Sequence, residues 1–303
     1  MSMRAYIRDI GRGKESARAL TRDQAADLMG SILDQRVSDL ELGAFCIAMR
    51  VKGETPQEMA GFWDAATSRI QKVDNSHAPT VVLPSYNGAR KLPVLTPLLA
   101  LKLAQNGVAV LIHTHSSEPT RVSSMAVLAQ LGVTPSQELR APTAGQVTVV
   151  PTAQLHPGLE HLLQVRQTLG LRNSAHSLVK LLAPTHTSSL LVTSYTHPEY
   201  LAPMTQTLQS RKAHAMLLRG TEGEPVADPR RCPLIEGLHD GQREVLQPAQ
   251  EGSLATLPDL PSGQDIDATV RYTRAVLSGE QSVPEPIRVQ VQGIAAFARR
   301  HGV

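Results

Sequence analysis

Three consecutive helix start signals occupy the first part of the chain. In each, a Ser or Thr is followed three positions later by Glu or Gln. The pairs are Thr21 with Gln24, Ser38 with Glu41, and Thr55 with Glu58. Each is a capping box, in which the two side chains accept hydrogen bonds from each other's backbone N–H, so a helix begins there. Apolar residues at helical spacing follow each start, which predicts a helical lobe over residues 1–75.

The pattern changes after a polar connector that ends at Pro79. Short apolar runs then alternate with helical segments, which is typical of a parallel sheet covered by helices. The predicted strands are Val81–Leu83, Val108–Ile112, Val147–Val150, Leu190–Thr193 and Ala215–Leu218, with helices at Thr96–Gln105 and Thr120–Leu131. The predicted fold class is α/β, with an N-terminal helical lobe and a larger α/β lobe over 79–303 whose sheet is mainly parallel. Helices from about 159–185 are candidates to join the helical lobe.

The charge is small overall but unevenly distributed. The net charge is +3, yet residues 1–22 carry six basic residues against two acidic ones, and residues 161–219 carry six against Glu199 alone. Protein surfaces normally intersperse both signs. Such an excess favours an anionic partner, although separate solvated faces would give the same counts.

Targeting and metal signals are weak. The sequence has neither an apolar leader segment nor an apolar run long enough to cross a bilayer, so a cytoplasmic protein without a membrane partner is expected. Cys46 and Cys232 lack the paired spacing of a zinc or redox site and are interpreted as buried apolar residues. His113 and His115 share one strand face but have no third ligand at suitable spacing, so no metal or other cofactor is predicted.

The segment AFCIAMRVKGETPQEMAGFWDAA, residues 44–66, resembles the helical lobe of the anthranilate phosphoribosyltransferase family, which includes nucleoside phosphorylases. The resemblance continues through LAQNGVAVLIHTH at 103–115 and VRQTLGLRN at 165–173. It implies the two-lobed fold above, paired into a homodimer through the N-terminal helical lobes.

The groups that this family uses to bind pyrophosphate are altered. Its glycine-rich GTGGD loop corresponds here to Pro84, Ser85, Tyr86, Asn87 and Gly88. Proline has no N–H to donate, and tyrosine prevents the close approach that glycine allows. The family's KHGNRS run becomes 112–117, where only His113 and Ser117 match.

The family's magnesium-binding Asp-Glu pair falls on Pro225 and Val226, neither of which can hold a cation. Glu222, Glu224 and Asp228 lie close by and are alternative carboxylates in a shifted register. The sequence therefore predicts no catalytic residue and no anthranilate phosphoribosyltransferase activity.

PSYNGARK, the RNSAH run at 172–176 and RGTEGEPVADPRR at 219–231 are similar to the YbiB-type branch of the family, which implies nucleic-acid binding. Arg172 retains the arginine that faces the aromatic substrate in the family. The hypothesis is sequence-independent binding of DNA or RNA in a basic groove shared by two subunits. The predicted contacts are Arg90, Lys91, Arg121, Arg166, Arg172, Lys180, Arg211, Lys212, Arg219, Arg230 and Arg231. The alternatives are a phosphoribosyltransferase or phosphorylase with a changed substrate, and a purely structural partner.

Overall fold

The computed structural model describes residues 2–13, 15–115, 120–135 and 137–302. The helices are α1 (Met3–Ile10), α2 (Arg22–Leu33), α3 (Asp39–Lys52), α4 (Pro56–Thr67), α5 (Thr96–Gln105), α6 (Ser124–Gln130), α7 (Thr152–Leu155), α8 (Pro157–Leu169), α9 (Ala175–Leu178), α10 (Leu201–Ser210), α11 (Ile266–Ser278) and α12 (Glu285–His301). The strands are β1 (Thr80–Ser85), β2 (Ala109–Thr114), β3 (Val147–Pro151), β4 (Leu190–Tyr195), β5 (Ala215–Arg219), β6 (Ile235–His239) and β7 (Gln242–Gln247). Lys14 of the basic N-terminal stretch, and Ser116 and Ser117 of the KHGNRS-like run, lie outside the described residues.

The chain divides into two compact units, residues 1–71 with 152–184 and residues 72–151 with 185–303. Residues 152–184 thus interrupt the predicted α/β span 79–303, and they include the helices from about 159–185 that are candidates for the helical lobe. The reason is that α8 packs against α2, and α9 against α4. The buried face of α8 includes Leu159, Leu162 and Leu163, so it contributes to the helical core.

In the helical unit, all three predicted capping boxes are present as reciprocal hydrogen bonds at the starts of α2, α3 and α4. Glu58 is fully buried. Its carboxylate accepts from the backbone N–H of Leu20 and Thr55, both at 2.9 Å, and from Lys52 Nζ at 2.5 Å. Glu58 thus completes the capping box of α4 and also neutralises Lys52 of the MRVKGET run.

In the α/β unit, the described residues form a seven-stranded sheet in the order β3-β2-β1-β4-β5-β6-β7. The first five strands in this order pair in parallel, which confirms the predicted mainly parallel sheet. Every residue of β1, β2 and β4 is buried, as expected where helices cover both faces.

The predicted strands and helices correspond to the observed ones except at two places. The helix expected from Thr120 begins at Ser124, because the Ser123 hydroxyl accepts from Ala126 N and caps it there. The sequence interpretation also missed β6 and β7, which pair antiparallel with each other and extend the sheet beyond β5.

The strand order reverses between β1 and β4. The chain runs from β1 outward to β2 and β3, then returns to the other side of β1 for β4 and β5. Ligands of such sheets bind outside the carboxyl ends of the strands at this switch point.

Among the described residues, the helices are all too short or too polar to span a membrane.

Candidate functional site

The loop that follows β1 lies at this switch point and is buried. Ser85, Tyr86 and Asn87 are each at most 7% exposed. Gly88 has φ +58°, and a Cβ there would lie 2.6 Å from the carbonyl oxygen of Val122. Glycine is therefore required at this position for both conformation and space.

The backbone amides of this loop are occupied by a carboxylate of the chain itself. Glu224 Oε1 accepts hydrogen bonds from Asn87 N at 2.7 Å and from Gly88 N at 2.9 Å. These two residues belong to the segment that corresponds to the pyrophosphate loop of the resembling enzymes. The loop therefore still presents N–H groups to an anion, and that anion is the side chain of Glu224.

Three hydroxyl groups surround the other oxygen of the same carboxylate. Thr96 Oγ1 lies 2.9 Å and Ser124 Oγ 3.3 Å from Glu224 Oε2, and Ser85 Oγ also contacts it. Thr96 and Ser124 are the first residues of α5 and α6. The carboxylate of Glu224, a residue that is 1% exposed, therefore lies beside the N-termini of both helices, which carry partial positive charge.

Glu222 fills the next part of the loop in the same way. Its Oε1 accepts from the consecutive backbone N–H groups of Arg90, Lys91 and Leu92, at 3.2, 2.8 and 3.0 Å. Arg121 Nη1 lies 3.4 Å from Oε2. Burial raises the pKa of Glu222, but these N–H donors and the Arg121 charge outweigh it, so the pKa lies below its ordinary value.

The backbone that carries the two carboxylates is strained. Glu222 has φ +52° and Gly223 has φ +90°. A non-glycine residue in this left-handed region costs about 1 kcal/mol or more. The hydrogen bonds from the loop to both carboxylates hold this conformation, because the turn directs both side chains toward the loop.

Tyr86 occupies space beside β2 that glycine would leave open. Its hydroxyl lies 2.7 Å from His113 Nδ1, and the two rings meet edge to face at a centroid distance of 5.3 Å. Pro84 pairs with His113 across β1 and β2. His113 is therefore part of a buried polar contact with Tyr86.

The carboxylates near residues 222–228 do not fit a magnesium ion. Mg²⁺ requires oxygen lone pairs in octahedral geometry. The oxygens of Glu222 and Glu224 already face N–H and O–H donors, which direct positive charge toward the place a cation would occupy. Asp228 is bound through both oxygens to Arg230, at 3.0 and 2.8 Å. No metal-dependent step can therefore be derived from this arrangement.

Several of the predicted basic residues lie at one edge of the sheet, the edge formed by the carboxyl ends of the parallel strands. They are Arg90 and Lys91 after β1, Arg121 before α6, Arg219 at the end of β5, and Arg230 and Arg231 before β6. Arg121 is the least available of them, because its side chain is 14% exposed and also donates to the Gly88 carbonyl at 3.1 Å. The other five are exposed.

Other predicted contacts lie elsewhere. Arg211 and Lys212 precede β5, at the opposite edge of the sheet from Arg219. Arg166, Arg172 and Lys180 belong to the helical unit. Lys180 is 8% exposed, so little of its side chain is accessible to a phosphate.

Comparisons with known proteins fit this architecture. Residues 4–69 match the family described as "Glycosyl transferase family, helical bundle domain". The protein YbiB of Escherichia coli (strain K12) is 37% identical over 298 residues, covering 96% of this chain and 92% of YbiB. The chain belongs to the YbiB family.

The scaffold of this family is that of the anthranilate phosphoribosyltransferases. The enzyme of that name from Idiomarina loihiensis is 28% identical over 275 residues, covering 87% of this chain and 80% of the enzyme. Two solved structures share the fold with a TM-score of 0.73, each aligned over 99% of this chain and 89% of the other. They are the Thermus thermophilus enzyme, 22% identical, and the Saccharomyces cerevisiae enzyme in complex with PRPP and Mg, 15% identical.

In this member of the YbiB family, the contacts of Glu222 and Glu224 with the loop after β1 are not apparent from the sequence. The sequence alone offers Glu222 and Glu224 as substitute metal ligands, whereas in the structure they accept hydrogen bonds from the loop after β1. The run of alternating Glu and Gly at 222–224 was the available signal, since glycine beside an acidic residue permits a tight turn. Its partner, more than 130 residues away, could not be identified without the fold.

Proposed function

We propose that this YbiB-family chain binds nucleic acid through phosphate contacts, as a homodimer, and does not catalyse phosphoribosyl transfer. The proposal rests on one observation. Glu224 accepts the hydrogen bonds of the backbone amides that could bind an anion in this loop, while the neighbouring Arg90 and Lys91 are exposed. A small phosphate ligand would have to displace a buried carboxylate. An extended polyanion needs only the outer side chains.

The loop presents Arg90 and Lys91 from a fixed backbone. The backbone N–H groups of both residues donate to Glu222 Oε1, whereas their side chains take no part in this contact and are exposed. Within the described ranges, no carboxylate lies at ion-pair distance from either side chain. Because the backbone that carries these two cations is already fixed, binding a polyanion costs the entropy of their side chains but not that of the loop.

Arg219 and Arg231 extend the basic surface along the same edge, whereas Arg230, on that edge too, is already paired with Asp228. Each cation that neutralises a phosphate releases a condensed counterion, so affinity comes from the number of such contacts and falls steeply with salt. Such contacts carry no sequence information. The proposal therefore covers DNA and RNA alike.

An apolar stripe on α3 supports the dimer. Leu40, Ile47 and Val51 are 84%, 42% and 51% exposed. Gly43 and Ala44 lie between them on the same helical face, since all five positions follow three- and four-residue spacing. Exposed apolar stripes of this kind mark protein interfaces. Pairing through α3 would give each assembly two basic edges.

Fluorescence anisotropy with labelled single-stranded DNA, RNA and duplex DNA tests the proposal at salt concentrations from about 50 to about 200 mM. The double variant Arg90→Ala with Lys91→Ala should weaken binding to every probe, and should reduce the slope of log affinity against log salt by about 1 to 2. The matched control is Lys102→Ala with Arg299→Ala, which removes the same two charges. Both control residues line one groove near the end of α5, at the opposite edge of the sheet.

The absence of affinity for all three probes at low salt would contradict the proposal, as would equal losses in the double variant and its control. Calorimetry with phosphoribosyl pyrophosphate and magnesium separates the alternative. Measurable binding of that pair would indicate a phosphoribosyltransferase or phosphorylase with an altered substrate, because Glu222 and Glu224 would have to leave the loop.

A further inference from the structure

A cluster of imidazoles lies at the edge of the sheet opposite the candidate functional site. His214 precedes β5 and His239 ends β6, with ring centroids 4.3 Å apart. His301, at the end of α12, stacks on His239 at 3.9 Å. These side chains come from three separate segments, and nothing in the proposed nucleic-acid surface uses them.

A carboxylate lies beside two of these rings. His239 Nε2 is 3.2 Å from Asp240 Oδ2, and His214 Nε2 is 3.6 Å from Asp240 Oδ1. Asp240 and Gly241 form the two-residue turn between β6 and β7, with φ values of +49° and +80°. Gln209 holds this turn by donating to the Gly241 carbonyl at 3.0 Å.

The spacing fits a transition-metal ion. Zinc binds histidine nitrogen and carboxylate oxygen at about 2.0 to 2.2 Å in a tetrahedron, which separates its ligand atoms by about 3.3 Å. One ligand atom each from His214, His239 and Asp240 lies within 4.8 Å of the others. The distances of 3.2 and 3.6 Å from the two imidazoles, which go to different oxygens of Asp240, are near that ligand separation. We propose that these three residues bind a divalent transition-metal ion such as Zn²⁺.

Ser188 prepares one of the ligands. Its hydroxyl lies 3.0 Å from His214 Nδ1. A donor hydrogen on Nδ1 places the lone pair on Nε2, which is the atom that faces Asp240, and such outer partners orient metal-binding histidines. Imidazole ligands favour zinc, copper or nickel over magnesium or calcium.

The site would join two loops. His214 lies in the connection from α10 to β5, whereas His239 and Asp240 belong to the β6–β7 hairpin. Three protein ligands leave one position of a tetrahedral ion open. Water can reach that position because Asp240 is 68% exposed. An ion bound only by the folded chain stabilises it by an amount that increases with the logarithm of the free ion concentration once that concentration exceeds the Kd. The metal would therefore link the α10–β5 connection to the β6–β7 hairpin and stabilise the antiparallel part of the sheet.

Calorimetric titration of ZnCl₂ into the full chain, prepared without a histidine tag, tests the site. We expect one ion per chain and a rise in the melting temperature. His214→Ala, His239→Ala and Asp240→Asn should each abolish both effects, and asparagine preserves the left-handed turn. Ser188→Ala should weaken binding about 10- to 100-fold. His77→Ala, which removes an exposed histidine of the same unit, is the matched control.

Titration of CoCl₂ adds a readout of coordination, because the visible absorption of cobalt distinguishes tetrahedral from octahedral sites. Tetrahedral absorption in the wild type that is lost in His214→Ala supports the proposal. Unchanged zinc stoichiometry in His214→Ala or His239→Ala would overturn it, as would binding that depends on Cys46 or Cys232. A stabilising response to MgCl₂ equal to that with ZnCl₂ would also contradict it.

Discussion

The backbone N–H of Gly88 donates a hydrogen bond of 2.9 Å to Glu224 Oε1. This contact joins the loop after β1 to a turn that follows β5. It keeps a buried carboxylate among donors that would otherwise attract a soluble anion. The filled loop and the exposed cations around it are therefore parts of one arrangement.

Replacing Glu224 should open this loop to an anion. Glu224→Ala leaves the amides of Asn87 and Gly88 and the Thr96 hydroxyl without their acceptor, so the free energy of unfolding should fall by about 3 kcal/mol. Inorganic pyrophosphate should restore part of this loss. Urea denaturation with and without pyrophosphate measures both effects.

Glu224→Gln is the control for that experiment, because its amide oxygen still accepts from both backbone amides and its bulk still fills the site. It should lose less stability and gain little from pyrophosphate. Equal stabilisation of wild type, Glu224→Gln and Glu224→Ala would show that the effect of pyrophosphate is not located in this loop.

The contribution of Glu222 should depend on pH. Burial raises its pKa, but hydrogen bonds from the Leu92, Lys91 and Arg90 amides and the charge of Arg121 bring it below the ordinary value of 4.5. The ionised carboxylate therefore stabilises the fold above the unfolded-state pKa, and this stabilisation is lost as the pH falls through the lower folded-state pKa.

Wild type should accordingly be more stable than Glu222→Gln at neutral pH, and the two should converge in acid. Urea denaturation from about pH 7 to about pH 3 measures this difference. Asp228, whose pKa is also lowered despite its burial, is present in both proteins and cancels. A stability difference that does not change with pH would refute the role assigned to the Glu222 charge.

A charge placed in the α3 stripe should break the proposed dimer. Ile47 is 42% exposed in the single chain, and Ile47→Glu would bury a carboxylate at the interface, which is costly without a partner. Analytical ultracentrifugation should find a dimer for wild type and a monomer for the variant. Val245→Glu alters an exposed apolar residue of β7 and should leave the dimer intact. A monomeric wild type, or an unaffected Ile47→Glu, would reject this interface.

Breaking the buried pair of Lys52 and Glu58 should strongly destabilise the helical unit. Their side chains are 7% and 0% exposed. Glu58→Ala leaves a buried ammonium group uncompensated and should cost about 3 to 5 kcal/mol. Adding Lys52→Met should recover part of the loss, because it removes that charge.

Glu41→Ala is the matched comparison, since Glu41 occupies the same capping-box position at the exposed start of α3. Losing this cap should cost about 1 kcal/mol. Chemical denaturation of the variants gives the values. Similar losses of unfolding free energy for Glu41→Ala and Glu58→Ala would mean that the ion pair with Lys52 adds no stability beyond that of the capping box.

Local elements of the fold were accessible from the sequence because their interactions join residues three or four positions apart. The boxes at Thr21, Ser38 and Thr55 are present, and α5 runs from Thr96 to Gln105 as expected. The β6–β7 hairpin was missed although Asp240 and Gly241 are a strong turn signal. Its flanking strands lack a regular apolar alternation, since Val245 is exposed, whereas Glu236 is fully buried and pairs with the exposed Arg243.

The amino-acid sequence by itself determined the helical lobe and the mainly parallel sheet, because these depend on residue type and short-range spacing. Only the tertiary structure decided that Glu224 occupies the loop, that Lys180 is buried, and that Arg211 and Arg219 lie at opposite sheet edges. The physical reason is that strand order and direction bring distant residues together or separate neighbouring ones, and neither can be read from charge or periodicity along the chain.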